Sequence, residues 1–283
     1  MSVIPADVPA AAEILGRAGG ENFPVASLLF PRDVRPHLMS VYGFARLVDQ
    51  LGDDAAGDRT ALLDWLDGEL NAIYGGGRPE HPLLRRLAWT VRARDLPRGP
   101  FDRLVLANRR DQSVSRYETF DDLLGYCDLS ANPVGELVLL VVGAAGPHRI
   151  ALSDRTCTGL QLVEFWQDLG EDAARGRVYV PLEDLARFDY SVEELTAGVR
   201  DRRFVALMAF EAERTRGLLA EGRALAATLR GRVRLAVRLF TAGGMAALDD
   251  LQRRGYDTFG SNAHASNARR AWFAAVELLG RGS

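Results

Sequence analysis

Apolar residues recur along most of the chain at intervals of three and four, and this spacing predicts an all-α protein. A clear example is the series Leu62, Leu63, Leu66, Leu70 and Ile73, which lies on one side of a helix. No run of alternating polar and apolar residues between tight turns predicts a sheet. The pattern predicts helices at residues 8–18, 32–53, 60–74, 80–95, 101–116, 120–143, 150–174, 201–225, 230–254 and 266–280.

Capping and breaking residues support these boundaries. Thr60 is the candidate N-cap of a helix that Gly75-Gly76-Gly77 ends, and Pro97 to Pro100 ends the next helix. Thr119, with Asp122 following in the same turn, matches a capping box.

The stretch from Gly176 to Ser191 contains Tyr179-Val180-Pro181 and predicts an ordered crossing segment. No Ser- or Pro-rich linker divides the helices, so we expect residues 1–283 to form a single domain.

Composition narrows the possible chemistry. The chain has 283 residues, 47% of them hydrophobic, and a net charge of −3, which gives no reason to expect a nucleic-acid partner. Every basic side chain is arginine, so Schiff-base chemistry through lysine is excluded. Cys127 and Cys157 lack the spacing of a redox or zinc motif, and we expect both to be buried thiols. The scattered histidines suggest no imidazole-centred mechanism. No N-terminal signal or membrane-spanning run is visible, which predicts a cytoplasmic protein.

Two acidic pairs carry the clearest chemical signal. Asp49 and Asp53, and likewise Asp168 and Asp172, are four residues apart within otherwise apolar helical stretches. Residues at this spacing project from one side of a helix, so each pair presents two carboxylates together. Carboxylates beside an apolar surface are costly unless they are neutralised. Oxygen ligands favour magnesium over zinc, and a diphosphate would supply further ligands.

Arginine and tyrosine accompany both pairs. Arg46 precedes the first pair by one turn, and it either binds phosphate oxygens or forms a salt bridge within its own helix. Arg175, Arg177 and Tyr179 follow the second pair.

Taken together, these motifs resemble the squalene and phytoene synthase family over nearly the whole chain. Tyr42-Gly43-Phe44-Ala45-Arg46 leading to Asp49-Gln50-Leu51-Gly52-Asp53 resembles the first aspartate motif of the family. Asp168-Leu169-Gly170-Glu171-Asp172, followed by Arg175 to Pro181, resembles the second. Segments 21–27, 130–135 and 165–168 resemble the hydroxysqualene synthase branch of bacterial squalene and hopanoid synthesis.

The resemblance implies an all-α isoprenoid (terpenoid) synthase bundle with a central active-site cavity. It implies two or three Mg²⁺ ions held with the substrate diphosphate by Asp49, Asp53, Asp168 and Asp172, and assistance from Arg46, Arg177 and Tyr179. Further residues expected near substrate are Asn22, Phe23, Tyr42, Asn132, Gln161 and Arg175. Phe23 and Tyr42 equally suit ordinary helix packing.

Two residues depart from the family pattern. Glu164 stands where relatives usually carry Asn, and we interpret it as a further magnesium ligand in a modified site. Gln167 stands where many head-to-head synthases have Arg, so one diphosphate contact is missing.

Gly244 lies in a predicted helix, where glycine is unfavourable by about 1 kcal/mol relative to alanine. Its absent side chain either permits close helix packing or leaves space beside the reacting cation.

For the favoured branch, the resemblance implies that presqualene diphosphate and water become hydroxysqualene and diphosphate. No NADPH is expected, since no Gly-rich dinucleotide motif is present. The enzymatic alternative is head-to-head condensation of farnesyl or geranylgeranyl diphosphate to presqualene diphosphate, squalene or phytoene. A non-catalytic assembly factor is the alternative of another class.

The product also bears on localisation and partners. Because a C30 product is nearly insoluble in water, we expect transient contact with the inner face of the membrane, or handover to a partner enzyme of squalene and hopanoid synthesis.

Overall fold

The computed structural model describes residues 4–16 and 30–259, and within these residues the secondary structure is helical, with one isolated β-bridge. The all-α prediction is therefore confirmed. The helices are α1 (Ala11–Gly16), α2 (Arg35–Asp49), α3 (Arg59–Tyr74), α4 (Pro82–Arg94), α5 (Gly99–Arg110), α6 (Phe120–Ser130), α7 (Asn132–Val141), α8 (Pro147–Ala174), α9 (Leu182–Arg187), α10 (Val192–Thr196), α11 (Arg202–Gly222), α12 (Ala224–Thr228) and α13 (Gly231–Arg253). A π-helical turn, Gln50–Asp54, continues α2.

Several predicted boundaries were wrong. The predicted helix 120–143 is two helices, because Pro133 lies in the first turn of α7 and cannot donate the backbone hydrogen bond that would continue α6. Thr60 is not a cap: Asp58 is the N-cap of α3, and its carboxylate accepts from the backbone N of Ala61 at 3.1 Å. The predicted helix 101–116 ends at Arg110.

Other predictions held or lie outside the described residues. Thr119 and Asp122 form the expected capping box of α6. The crossing segment 176–191 is ordered and includes α9, while α10 was not predicted. The helix predicted at 266–280 lies outside the described residues. Both thiols were expected to be buried; Cys127 is buried, but Cys157 is only half-buried.

Two large clusters of buried apolar side chains hold the helices together. The first draws mainly on α2 to α5, and the second on α6, α8, α11 and the C-terminal half of α13. Both α5 and α13 contribute residues to each cluster, so the two clusters are bridged by shared helices.

The long helix α8 is fixed against α11 by close approach. A Cβ added to Gly159 would lie 2.7 Å from Cδ2 of Leu219, and one added to Gly222 would lie 2.9 Å from the backbone N of Thr156. The indole N of Trp166 donates to Thr215 at 2.8 Å. The Trp166 contact fixes α8 directly beside the second acidic pair. In the described part of the chain, no helix combines the length and apolarity needed to cross a bilayer.

Candidate active site

The first acidic pair lies where α2 passes into the π-helical turn. Asp49 is the last residue of α2, and Asp53 lies within the turn. Such π-helical turns are frequent at functional sites. The pKa of Asp49 is raised to about 6, mainly by burial and also by the charge of Asp53, while Arg46 opposes the change. Yet 47% of the Asp49 side chain stays accessible. The protein surrounds the Asp49 carboxyl group, but solvent still reaches it. Asp49 therefore lies on a concave surface.

Arg46 contacts Asp49, with 3.6 Å between guanidinium and carboxylate. Of the two interpretations of Arg46, phosphate binding and a salt bridge within its own helix, the structure shows the salt bridge. Its side chain keeps 29% of its surface exposed, so the pair is open to an anionic ligand.

The second acidic pair lies on the solvent side of α8. Asp168 is exposed and Asp172 half-buried, while Phe165, Trp166 and Leu169 beside them are buried. Burial raises the pKa of Asp172 to about 6, and the charge of Asp168 contributes to this shift. The two carboxylates therefore act on one another, as expected for one face of a helix.

Arg177 links the two motifs. Its guanidinium donates to Oδ1 of Asp53 at 2.6 Å, although the two residues are 124 positions apart. The same guanidinium opposes the raised pKa of Asp172 and of Asp111. The tail of the second motif thus reaches the end of the first.

Tyr179 belongs to an aromatic stack on the same segment. Its ring lies 3.8 Å from that of Phe165, with planes inclined by only 6°. Tyr117 and Tyr126 flank it, with ring centroids 6.0 and 6.1 Å away. Burial raises the pKa of Tyr179, so its phenol stays neutral at physiological pH. A shallow depression beside the stack is lined by Phe165, Leu169, Asp172, Arg177, Val178, Tyr179, Val180 and Leu195.

Backbone hydrogen bonds dock the segment that carries Arg177 and Tyr179. Val178 donates to the carbonyl of Ser115 at 2.8 Å, and Leu182 donates to that of Tyr117 at 2.9 Å. Because the peptide groups on both sides are paired, the guanidinium and phenol are presented from a fixed backbone.

Sequence reasoning missed Asp111 and its neighbours. Asp111 follows α5, burial raises its pKa to about 6, and Tyr126 donates to its Oδ2 at 2.7 Å. Asn108 interacts with Asp49 through its side chain. A Cβ on Gly52 would lie 2.1 Å from Oδ1 of Asn108. In the sequence, Gly52 between the two aspartates of the first motif could have indicated that another residue packs closely against this position.

Other predicted site residues have mainly structural surroundings. Asn132 is buried; its amide N donates to Asp128 at 2.7 Å, and its amide O accepts from Thr158 at 3.0 Å. Arg175 is 68% exposed and pairs with Glu171 of α8 at 2.6 Å.

Three further candidates have less distinctive positions, and two lie outside the described residues. Tyr42 is buried, Gln161 is half-buried, and Glu164 is exposed on α8. Asn22 and Phe23 lie outside the described residues.

The proposed space at Gly244 is not present. A Cβ added there would lie 2.8 Å from Cδ2 of Leu160 and 3.1 Å from Cδ1 of Leu219. The apolar ends of these side chains fill the position, so close packing of α13 against α8 and α11 explains the glycine. Of the two interpretations of Gly244, the structure therefore favours close helix packing.

The site has the donor type that magnesium requires, but not a closed set of ligands. Its side chains offer carboxylate oxygens, the ligands that this cation prefers. The raised pKa values of Asp49, Asp111 and Asp172 reflect crowding and burial of acidic groups, which a cation would relieve. Among the residues described, no three side chains of metal-binding type surround a common point. Diphosphate and water oxygens would have to complete any coordination shell.

Comparison with known proteins places the chain in one family. The squalene/phytoene synthase family profile matches residues 17–270. A phytoene synthase from Thermus thermophilus is 34% identical, with 93% of this chain and 88% of the relative covered. A hydroxysqualene synthase from Rhodopseudomonas palustris is also 34% identical, over 74% of this chain and 72% of the relative. The crystal structure of squalene synthase HpnC from Alicyclobacillus acidocaldarius superimposes with a TM-score of 0.83 at 41% identity, covering 91% of this chain and 98% of that one. The helical bundle, the two acidic motifs joined through Arg177 and these similarities together identify the chain as a member of the squalene/phytoene synthase family.

Proposed function

We propose that the protein is a magnesium-dependent hydroxysqualene synthase, which converts presqualene diphosphate and water to hydroxysqualene and diphosphate. The observation that carries this proposal is the contact of Arg177 with Asp53, which joins a cation from the second motif to a carboxylate of the first. The choice of branch rests on the 41% identity to squalene synthase HpnC and on the similarity to hydroxysqualene synthases.

The residues of the site suit the departure of diphosphate. When bound, two or three magnesium ions would neutralise the negative charge that develops as the carbon–oxygen bond breaks. Asp49, Asp53, Asp168 and Asp172 would hold these ions, with Glu164 as a further ligand. Arg177 and Arg46 would bind diphosphate oxygens. In the structure each of these arginines is paired with an accessible aspartate. If a metal ion bound that aspartate, the arginine would be released to bind diphosphate.

The aromatic stack suits the carbocation that remains. The ring faces of Tyr179, Phe165, Tyr117 and Tyr126 carry negative quadrupole charge, which attracts a nearby cation. Loss of diphosphate leaves a cyclopropylcarbinyl cation, which rearranges with opening of the ring. One water oxygen then forms the new carbon–oxygen bond and releases a proton. The Tyr126 hydroxyl, which belongs to the stack, is hydrogen-bonded to the Asp111 carboxyl, and this pair suits acceptance of that proton.

A second candidate function is phytoene synthesis from geranylgeranyl diphosphate. The observation in its favour is the coverage of phytoene synthases, which match 86% to 93% of this chain at 30% to 34% identity. Hydroxysqualene synthases match 61% to 74% at 33% to 35% identity. The two activities differ in substrate length and in the capture of water.

A substrate panel separates these functions. Purified protein is supplied with presqualene, farnesyl or geranylgeranyl diphosphate, each with magnesium or with chelator, and extracted lipids are identified by mass spectrometry. The expected result is hydroxysqualene from presqualene diphosphate, labelled when the water contains ¹⁸O, and no product with chelator. Phytoene from geranylgeranyl diphosphate would establish the second candidate instead. If no diphosphate is consumed and titration calorimetry finds no magnesium-dependent binding, a non-catalytic role replaces both.

A further inference from the structure

Helix α4 presents an unusual outer surface. Its inner side, formed by Leu83, Leu84, Leu87, Ala88 and Val91, is buried in the first apolar cluster. Trp89 points outward with 49% of its surface exposed, and it is the one aromatic side chain among the large exposed apolar residues of the described chain.

The charges of α4 are all of one sign. Its sequence, PLLRRLAWTVRAR, contains four arginines and no acidic residue. Arg85 pairs with Glu80 at 3.4 Å, and Arg94 with Asp33 at 3.7 Å. Within residues 4–16 and 30–259, no carboxylate forms an ion pair with Arg86 or Arg92.

Arg86 and Arg92 lie on the same outer side of α4 as Trp89. They precede and follow the tryptophan by one turn of helix, and both are exposed. A tryptophan between two cations therefore forms the centre of this surface.

The indole is held in position from below. Its ring stacks on His37 of α2, with centroids 4.2 Å apart and planes inclined by 10°. His37 is fixed in turn, because its Nδ1 lies 3.1 Å from the hydroxyl of Thr90. Because the Trp89 ring is already immobilised by this stacking, it loses little conformational entropy when its exposed face binds another surface.

We propose that this outer surface of α4, centred on Trp89 and flanked by Arg86 and Arg92, docks onto an anionic lipid surface. Tryptophan favours the headgroup level of a bilayer, where its ring is half in apolar surroundings. Arginine is attracted to anionic headgroups. With a net charge of −3 the whole chain has no general attraction to anions, so binding depends on this local surface.

The lipid surface is a better match than a protein or nucleic-acid partner. A single aromatic side chain among charges lacks the apolar core of a stable protein interface. One ring with two arginines also falls short of the stacking platforms and phosphate contacts of nucleic-acid sites. The proposal does not depend on the reaction proposed above, because the test uses no substrate.

The test measures cosedimentation of the full chain with vesicles of phosphatidylcholine alone and of phosphatidylcholine mixed with phosphatidylglycerol. The wild-type protein should bind only the anionic vesicles, with a blue shift of tryptophan emission, and added salt should weaken the binding. R86Q/R92Q should lower the partition coefficient about 25-fold, since each arginine near an anionic surface contributes about 5-fold. W89S should lower it at unchanged charge and remove most of the blue shift.

The matched control is R202Q/R223Q, which removes the same charge from exposed positions at the two ends of α11. Vesicle binding should be retained in this variant, and circular dichroism and Tm should establish that all variants are folded. Because Arg86 and Arg92 lie on the surface, their variant remains informative even if W89S fails to fold. Equal binding to neutral and anionic vesicles, or equal loss in the control, would overturn the proposal. So would a dimer that W89S dissociates, or RNA binding that R86Q/R92Q abolishes without effect on vesicles.

Discussion

The protein places an arginine among carboxyl groups in two regions that differ in burial. At the candidate site, Arg177 donates to Asp53, whose side chain is 43% exposed. Between α9 and α11, Arg214 donates to Asp184 and Glu211 at 2.7 and 2.6 Å, and these carboxyl side chains are 5% and 0% exposed.

The surroundings give the two clusters different roles. The guanidinium of Arg214 lies 3.5 Å from the ring centroid of Phe120, so its partners cannot be exchanged for solvent or ligand. A charge left unpaired there is strongly destabilising. The pair at the site is reached by water, and a diphosphate can replace Asp53 as the partner of Arg177. The same side-chain chemistry thus stabilises the fold in one place and remains available for binding in the other.

The largest effect expected from this comparison is on stability. R214M should lower the free energy of unfolding by about 3–5 kcal/mol, because the buried Asp184 carboxylate loses its cation. Urea denaturation measures the change. The control is R216M on the same helix, where Arg216 pairs with Asp249, a half-exposed aspartate. It should cost no more than about 1 kcal/mol. An equal decrease in the free energy of unfolding of R214M and R216M would contradict the conclusion that burial makes the Arg214 cluster important for stability.

The second prediction concerns catalysis. R177Q should lower the turnover of the diphosphate substrate about 100- to 1,000-fold, because it removes a preorganised cation from the departing group. Its stability should change by less than about 1 kcal/mol, since Asp53 is accessible. R155Q removes an arginine that pairs with Glu221 on the surface, and it should retain full activity. If R177Q retained activity but unfolded easily, Arg177 would have a structural role and not the proposed catalytic one.

A third prediction uses pH. Burial raises the pKa of Glu211 from 4.5 to about 8. Between these values the folded protein retains a proton that the unfolded chain releases, so stability is lost as pH rises through this window. The wild type should lose at least about 1 kcal/mol between pH 5 and 8, because each unit of pKa difference corresponds to about 1.4 kcal/mol. E211Q should flatten this dependence in Tm measurements, whereas E213Q, at an exposed position, should leave it unchanged.

The smallest expected effect concerns glycines in helices. Gly217 of α11 has open space where a Cβ would lie, so G217A should raise the free energy of unfolding by about 0.5–1 kcal/mol. At Gly244 the added methyl meets Leu160 and Leu219, and G244A should lower it by about 1 kcal/mol, since overpacking exceeds the gain in helix propensity. Thermal unfolding distinguishes the signs. A stabilised G244A would restore the idea of space at this position.

Local chemistry explains which predictions from sequence succeeded. The helical spacing, the capping box at Thr119 and the proximity of Asp168 to Asp172 depend on residues within one or two turns of each other. The boundary errors arose where two local signals compete, as at Asp58 and Thr60. Asp111 and Asn108 were missed because their roles depend on residues of other helices and segments, which only the folded chain brings beside them.

The sequence by itself determined the all-α fold and the two acidic motifs, since helical periodicity and the grouping of side chains on one face are short-range properties. Only the tertiary structure decided that Arg177 reaches Asp53, that Gly244 serves packing and that Trp89 faces outward. These features depend on which helices meet and at what distance. Burial, pKa and the availability of a charged group follow from that packing, which brings together residues that are far apart in the chain.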